Sequence, residues 1–103
     1  MIVRVWRGWT TAEDADRYAA YMTEMALPGY SDVEGNLAVY MTRSPDGDRE
    51  EFAMFTVWES EAALVGFAGP DRERAVFFAE DDQFLVDREL TVSHYDVYGS
   101  HLS

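Results

Sequence analysis

The chain of 103 residues contains no cysteine and no lysine. Without cysteine it cannot form disulfides, thiolate zinc sites or iron–sulfur clusters, and it has no thiol nucleophile. Without lysine it has neither a Schiff-base amine nor the lysine of a phosphate-binding loop. No apolar run approaches the ~20 residues of a membrane span, so no membrane partner is expected. Because the first residues show no secretory signal, we expect a cytoplasmic protein.

Positive charge is also scarce, since eight arginines stand against twenty acidic residues and the net charge is −12. Such a surface repels phosphate backbones, so no nucleic acid is expected as a partner. Hydrophobic residues make up 48% of the chain and aromatic residues 15%, which excludes disorder as the main state. The length fits one domain, which we predict over 1–98, followed by a flexible polar tail over 99–103.

Hydrophobic periodicity and turn signals predict an alternating order of strands and helices. Thr10 and Glu13 form a capping-box pattern, and Leu27-Pro28-Gly29 is expected to stop the first helix. The order βαββαβ predicts a ferredoxin-like α+β fold, a four-stranded antiparallel sheet with both helices on one face. The predicted strands cover 2–9, 37–44, 51–58 and 90–98, the helices cover about 10–26 and 61–68, and a further helical piece covers 71–79.

The strand over 51–58 is apolar on both faces, although two helices can cover only one face of the sheet. Tyr40, Phe55 and Val57 are predicted to lie on the uncovered face and to form a large apolar patch there. We therefore predict a homodimer that packs through this sheet face with two-fold symmetry. The alternative is a monomer whose strand aromatics are partly exposed.

Several segments carry a family resemblance: Arg4-Val5-Trp6-Arg7-Gly8, then Phe52 to Trp58 followed by Glu59-Ser60-Glu61-Ala62-Ala63, and Phe67-Ala68-Gly69. On these segments the chain resembles the antibiotic-biosynthesis-monooxygenase-like domain of the dimeric α+β barrel superfamily. The resemblance covers nearly the whole chain. It implies a dimeric α+β barrel with one apolar pocket per subunit, between the sheet and the helices, for a small hydrophobic or aromatic ligand.

Members of this family that oxidise aromatic polyketides with O₂ and no cofactor use Trp, Asn, Tyr and Arg in an apolar pocket. The resemblance carries the Trp over to Trp58, whereas Asn36, the only asparagine, lies away from the family's Asn position. Haem-degrading members place a His after a helical Trp, but Phe67 stands in place of that Trp and 67–78 contains no His. The resemblance implies a monooxygenase-like protein of small-molecule metabolism that oxidises an aromatic, polyketide-type substrate without a cofactor. The alternatives are a non-catalytic binder of a hydrophobic ligand, a haem protein that would use His94 as its axial ligand, and a purely structural dimer.

Six residues are the candidates for the site. We predict His94 as the general base, since its pKa is near neutrality and Asp96 two residues on could orient the imidazole. Arg4, on an inner strand, is predicted to anchor an oxyanion or a carboxylate, the alternative being an ion pair with one of the acids. Trp58 completes the catalytic set. The pocket walls are predicted to be Trp6, Tyr18 and Phe67, although aromatic side chains of this kind also build small cores. No metal is assigned to the acidic run over 80–82.

Overall fold

The computed structural model describes residues 1–102, and Ser103, the last residue of the predicted tail, lies outside them. The elements follow one another as β1 (Ile2–Thr11), α1 (Ala15–Tyr21), a π-helical turn (Met22–Ala26), α2 (Leu27–Ser31), β2 (Asn36–Asp46), β3 (Arg49–Trp58), α3 (Glu61–Ala68), α4 (Asp81–Phe84), β4 (Asp87–Arg88) and β5 (Ser93–Asp96). All strand pairs are antiparallel, and the sheet has the spatial order β2-β3-β1-β4, with β5 also paired to β1. The predicted ferredoxin-like α+β fold is confirmed.

The sheet has five strands where four were predicted, because the last predicted strand, over 90–98, is shortened to β5 and a further short strand, β4, precedes it. β4 pairs with β1 at Gly8 and Trp9, and β5 pairs with β1 farther along, from Ile2 to Val5. Between these two strands the chain leaves β1 and pairs instead with a segment that precedes α4. Within residues 1–102 no helix is both long and apolar enough to cross a bilayer.

Alternation along the two central strands decides which side chains face the helices. In β1 and β3 the even-numbered positions point to the helical layer, because successive strand residues lie on opposite faces. Their buried side chains form one apolar cluster under α1 and the π-helical turn, and a second under α3. Phe67 packs against both clusters. Within the described part of the chain, the opposite face of the sheet carries no helix, as the sequence predicted.

The first helix differs from its prediction at both ends. Thr10 does not cap it, because β1 continues to Thr11 in register with β3, and the Thr11 hydroxyl accepts the Asp14 N–H at 3.2 Å instead. The helix also continues past Ala26 to Ser31. The π-helical turn shifts the hydrogen bonds so that the Leu27 N–H reaches the Met22 carbonyl, and Pro28 falls in the first turn of α2, where a helix needs no donor.

Residues 69–80, which we call the covering segment, contain no helix, so the prediction of a helical piece over 71–79 was wrong. The backbone there is irregular, with turns at 72–73 and 79–80, and it pairs with the residues between β4 and β5. Ala75 N–H donates to the Leu90 carbonyl and Val92 N–H donates to the Glu73 carbonyl, both at 2.9 Å. These long-range bonds outweigh the helical propensity of the segment, and they hold it over the sheet beside α3.

Asp81 ties the end of the covering segment to α1. The carboxylate is 3% exposed and accepts hydrogen bonds from the Tyr18 hydroxyl at 3.1 Å and from the Phe78 N–H at 2.7 Å. Asp81→Ala leaves one buried and one partly buried donor without a partner, so we expect the free energy of unfolding to fall by about 2–4 kcal/mol in urea denaturation. The matched control Asp82→Ala removes only an exposed ion pair with Arg88 and is expected to cost less than about 0.5 kcal/mol. Equal stability of the two variants contradicts this account.

The Asp81 carboxyl also makes the free energy of unfolding depend on pH. Burial raises the pKa of Asp81 in the folded chain. Proton binding to Asp81 therefore stabilises the fold most below the unfolded pKa of Asp81, and this proton-linked part of the stability is lost as the pH rises through the raised folded value.

Candidate functional site

Arg4 is the most unusual residue of the core. It lies in the middle of β1 on the helical face and is only 4% exposed. One terminal nitrogen donates to the Arg72 carbonyl at 2.6 Å and the other donates to the Arg74 carbonyl at 2.8 Å. Among residues 1–102 no carboxylate lies within 4 Å of the guanidinium, so the ion pair considered as an alternative does not form. Burial lowers the pKa of Arg4, yet a guanidinium keeps its proton at neutral pH.

His94 lies directly opposite Arg4 in the register of β1 and β5. Its Nε2 is 3.0 Å from the first guanidinium nitrogen of Arg4. Because an arginine can only donate, Nε2 is the acceptor and Nδ1 carries the proton of the neutral ring. Burial lowers the pKa of His94, and the nearby charges of Arg4 and Arg72 lower it further. The ring is therefore neutral at pH 7 and has a basic nitrogen directed at a cation.

Among the residues that the structure describes, the second nitrogen of His94 has no hydrogen-bond partner. Nδ1 is buried without a hydrogen bond, and Glu73 Oε2 is 3.8 Å away from it. Asp96, which we expected to orient this ring, lies opposite Ile2 at the edge of the sheet with an exposed side chain, and no hydrogen bond joins it to His94. The prediction that Asp96 orients the imidazole was therefore wrong.

Aromatic rings enclose the Arg4–His94 pair on the side of α3. The Ser60 hydroxyl accepts the Ala63 N–H at 3.1 Å and so begins α3 at a fixed point, which carries Phe67 to the pair. The Phe67 ring lies 5.8 Å from the Arg4 guanidinium carbon and stacks on Trp58 at 5.1 Å. Trp58 is fully buried behind Phe67.

The other two predicted pocket walls lie farther along the sheet. Trp6 is two positions from Arg4 on the same face, and its indole N–H donates to the Glu89 carbonyl at 2.8 Å. A side chain at Gly8 would collide with the Trp6 ring, so Gly8 makes room for Trp6. Tyr18 packs in the other half of the core, 4.9 Å from the ring of Phe52. The structure thus brings Arg4, His94, Phe67 and Trp58 together, places Trp6 beside them and separates Tyr18 from them.

Tyr30 belongs to this group although the sequence reasoning missed it. The residue is 6% exposed, and its ring lies 5.2 Å from Phe67 and 5.4 Å from Phe78 of the covering segment. Burial raises the pKa of Tyr30, so the phenol stays protonated. The buried stripe of the first helix, continued at four-residue steps from Tyr18 through Met22 and Ala26, reaches Tyr30. That signal was lost because Pro28 was expected to end the helix.

Two recesses open elsewhere on the molecule. The larger, of about 410 Å³, lies between the loop after α2 and α3, and its lining includes Glu34, Glu59 and Ser60. The smaller, of about 90 Å³, lies between α1 and the edge of the sheet, against Met22 and Met54. Neither recess includes Arg4 or His94 in its lining.

The fold and this buried pair define a small ferredoxin-like α+β protein with an arginine, a neutral histidine and stacked aromatic rings between its sheet and its helices. A family model for antibiotic biosynthesis monooxygenase matches residues 1–72. The chain belongs to this family of monooxygenase-like proteins. No curated protein sequence matches the chain.

Solved structures of similar fold cover nearly the whole chain. A putative antibiotic biosynthesis monooxygenase from Deinococcus radiodurans has a TM-score of 0.69 at 15% identity, with 100% of this chain and 97% of that chain covered. A putative family member from Bacillus cereus has a TM-score of 0.64 at 13% identity, with 99% and 97% covered. The heme-degrader MhuD from Mycobacterium tuberculosis, solved with two hemes in its active site, has a TM-score of 0.66 at 18% identity, with 98% and 99% covered. At these identities the likeness concerns the fold.

Proposed function

We propose that this chain is a cofactor-independent monooxygenase that oxidises an aromatic, polyketide-type substrate at the Arg4–His94 pair. The observation that carries the proposal is the buried guanidinium of Arg4, which has no carboxylate partner and donates to the basic nitrogen of a neutral His94. A cation and a base held side by side among aromatic rings suit a phenol whose neighbouring C–H must lose a proton.

The proposed reaction needs only O₂ as co-reactant. His94 Nε2 removes a proton from the activated CH₂ carbon of an anthrone, and Arg4 stabilises the negative charge that develops on the substrate oxygen. The carbanion gives one electron to O₂, and the two radicals combine to a peroxide anion that His94 protonates. Loss of the second C–H proton and of hydroxide, which together form water, leaves the quinone carbonyl. One O₂ thus yields one carbonyl oxygen and one water.

The aromatic side chains hold the substrate in this proposal. Phe67 lies against Arg4 and offers a flat face to an aromatic ring, and Trp58 fixes Phe67 from behind. Trp6 bounds the site along β1, while Tyr18 supports the far wall through its packing on Phe52. The substrate oxygen takes over the hydrogen bond that Arg4 now donates to His94 Nε2, which frees that nitrogen to act as the base.

Oxygen consumption with a series of anthrones tests the proposal. We expect the purified chain to form the quinone with one O₂ consumed per quinone and with no hydrogen peroxide released. Tight anthrone binding without turnover identifies a non-catalytic binder and overturns the proposal. A hemin titration belongs in the same experiment, because a Soret band that His94→Ala abolishes identifies a haem protein instead.

We also propose that two copies pack through the sheet face that the helices leave uncovered. Tyr40 and Tyr95 are 60% and 61% exposed on this face, at its two edges. Phe55, Val57 and Val3 lie between them in register. A second copy would remove this apolar surface from water.

Light scattering coupled to gel filtration measures the proposed dimer directly. We expect the wild type to have the mass of two chains at micromolar concentration. Tyr40→Glu places a charge on the sheet face and is expected to give a single-chain mass, because burying that charge is costly. The control Met25→Glu changes an equally exposed side chain of the helical layer and is expected to keep the dimer mass. A wild type that is monomeric at these concentrations contradicts the proposed interface.

A further inference from the structure

The Nδ1 atom of His94 lacks a hydrogen-bond acceptor among the described residues. Nδ1 carries the ring proton because Nε2 already accepts from Arg4, and Nδ1 is buried without any hydrogen bond. A buried donor without a partner destabilises the folded state. The side chain of Glu73 is the carboxylate beside this donor, with Oε2 at 3.8 Å from Nδ1.

The backbone around Glu73 is fixed from two sides. The carbonyls of its neighbours, Arg72 and Arg74, both accept from Arg4. The carbonyl of Glu73 itself accepts the Val92 N–H at 2.9 Å, two positions before His94 in the chain. The three bonds hold this part of the covering segment against β1 and the approach to β5. The Cα atom of Glu73, which bears this carboxylate side chain, is therefore held in a fixed position beside the imidazole.

The side chain of Glu73 is free enough to close the remaining gap. It is 60% exposed, and its contact with Arg72 Nε, at 3.8 Å, is a loose one. Arg72 has a shorter ion pair with Glu61, at 3.0 Å, which leaves the Glu73 carboxylate available. A movement of about 1 Å brings Oε2 within hydrogen-bond distance of Nδ1.

We infer that Glu73 is a positioning residue: its carboxylate accepts the Nδ1–H of His94, fixes the ring's tautomer and orientation, and presents Nε2 as the base. The role of that base in catalysis rests on the proposed function, whereas the Glu73–His94 hydrogen bond does not. The arrangement follows the general logic of a carboxylate that orients a catalytic imidazole. The covering segment thus contributes Glu73 to the site as a third residue, next to Arg4 and His94.

NMR of the imidazole nitrogens tests the inference without a substrate. The chain has two histidines, so His101→Asn leaves a spectrum of His94 alone. We expect the neutral ring to carry its proton on Nδ1. A proton on Nε2 in the neutral wild type overturns the inference.

Titration of His94 in variants separates the effect of the Glu73 charge on the imidazole from the effects of Arg4, Arg72 and Glu61, the other charges around the ring. Glu73→Gln keeps an acceptor oxygen and removes the negative charge, so we expect the pKa of His94 to fall by about 0.5–1 unit. Glu73→Asp keeps the charge and is expected to recover at least half of this shift. The control Glu24→Gln removes an exposed carboxylate of the π-helical turn and is expected to leave the titration unchanged.

A titration of Glu73→Gln that matches wild type overturns the inference. If the expected shift appears and no anthrone is turned over, the hydrogen bond stands and the proposed function fails. If anthrones are turned over and Glu73→Gln leaves the His94 titration unchanged, the proposed function stands and the positioning role fails.

Discussion

His94→Ala is expected to lower the rate of anthrone oxidation by about 10²–10⁴-fold, the usual contribution of a positioned general base. In the wild type, Nε2 is the basic nitrogen of the pair and lies 3.0 Å from the guanidinium nitrogen of Arg4. The other histidine of the chain, His101, is exposed in the tail. His101→Ala is therefore the matched control and is expected to keep full activity.

The pH dependence of the wild type gives the same prediction a second readout. Only the neutral imidazole can accept a proton, so kcat/KM should rise with pH through the pKa of His94 and then level off. Burial and the charge of Arg4 lower that pKa, so the rise should lie below the ordinary histidine value of about 6.5. The rise should be absent from the residual activity of His94→Ala. A His94→Ala variant that keeps the wild-type rate and pH profile refutes the assignment of the base.

The placement of Arg4 could be predicted from the sequence because strand alternation is a local rule. Ile2, Arg4 and Trp6 are alternate residues of β1, so they lie on the same face of the strand. That face is buried in the structure. Trp58 and Phe67 were both predicted to belong to the site, and in the structure α3 follows directly on β3. Their stacking at 5.1 Å agrees with this short connection.

The partners of the Arg4–His94 pair could not be predicted from local rules. Asp96 was chosen for His94 because it is two residues away, but Glu73 approaches from the covering segment, whose path depends on pairing with residues 90–92. The same pairing positions the Arg72 and Arg74 carbonyls, which accept hydrogen bonds from Arg4. Tyr30 was missed because a π-helical turn allowed the helix to pass Pro28, and single-sequence periodicity assumes regular helical geometry.

Arg4→Met is the second prediction with a large effect, and we expect it to lower kcat by about 10²–10³-fold, as the loss of one preorganised donor to a developing oxyanion does. The free energy of unfolding of Arg4→Met should change much less than the activation free energy of the reaction. The variant loses hydrogen bonds to the Arg72 and Arg74 carbonyls, but it also removes a buried charge that no carboxylate compensates. The control Arg7→Met lies on the opposite face of β1, half exposed beside Glu89, and is expected to keep the rate.

A double variant decides whether Arg4 acts with His94 or only holds the covering segment. If both act on the same proton transfer, Arg4→Met combined with His94→Ala should be about as slow as His94→Ala alone, because charge stabilisation without a base has no step to accelerate. If Arg4 serves only to hold the covering segment through the Arg72 and Arg74 carbonyls, the two losses should multiply. In that case Arg4→Met should also increase hydrogen exchange of the Ala75 and Val92 amides, which bond the covering segment to residues 90–92. A multiplied loss with faster exchange contradicts a direct part for Arg4 in the reaction.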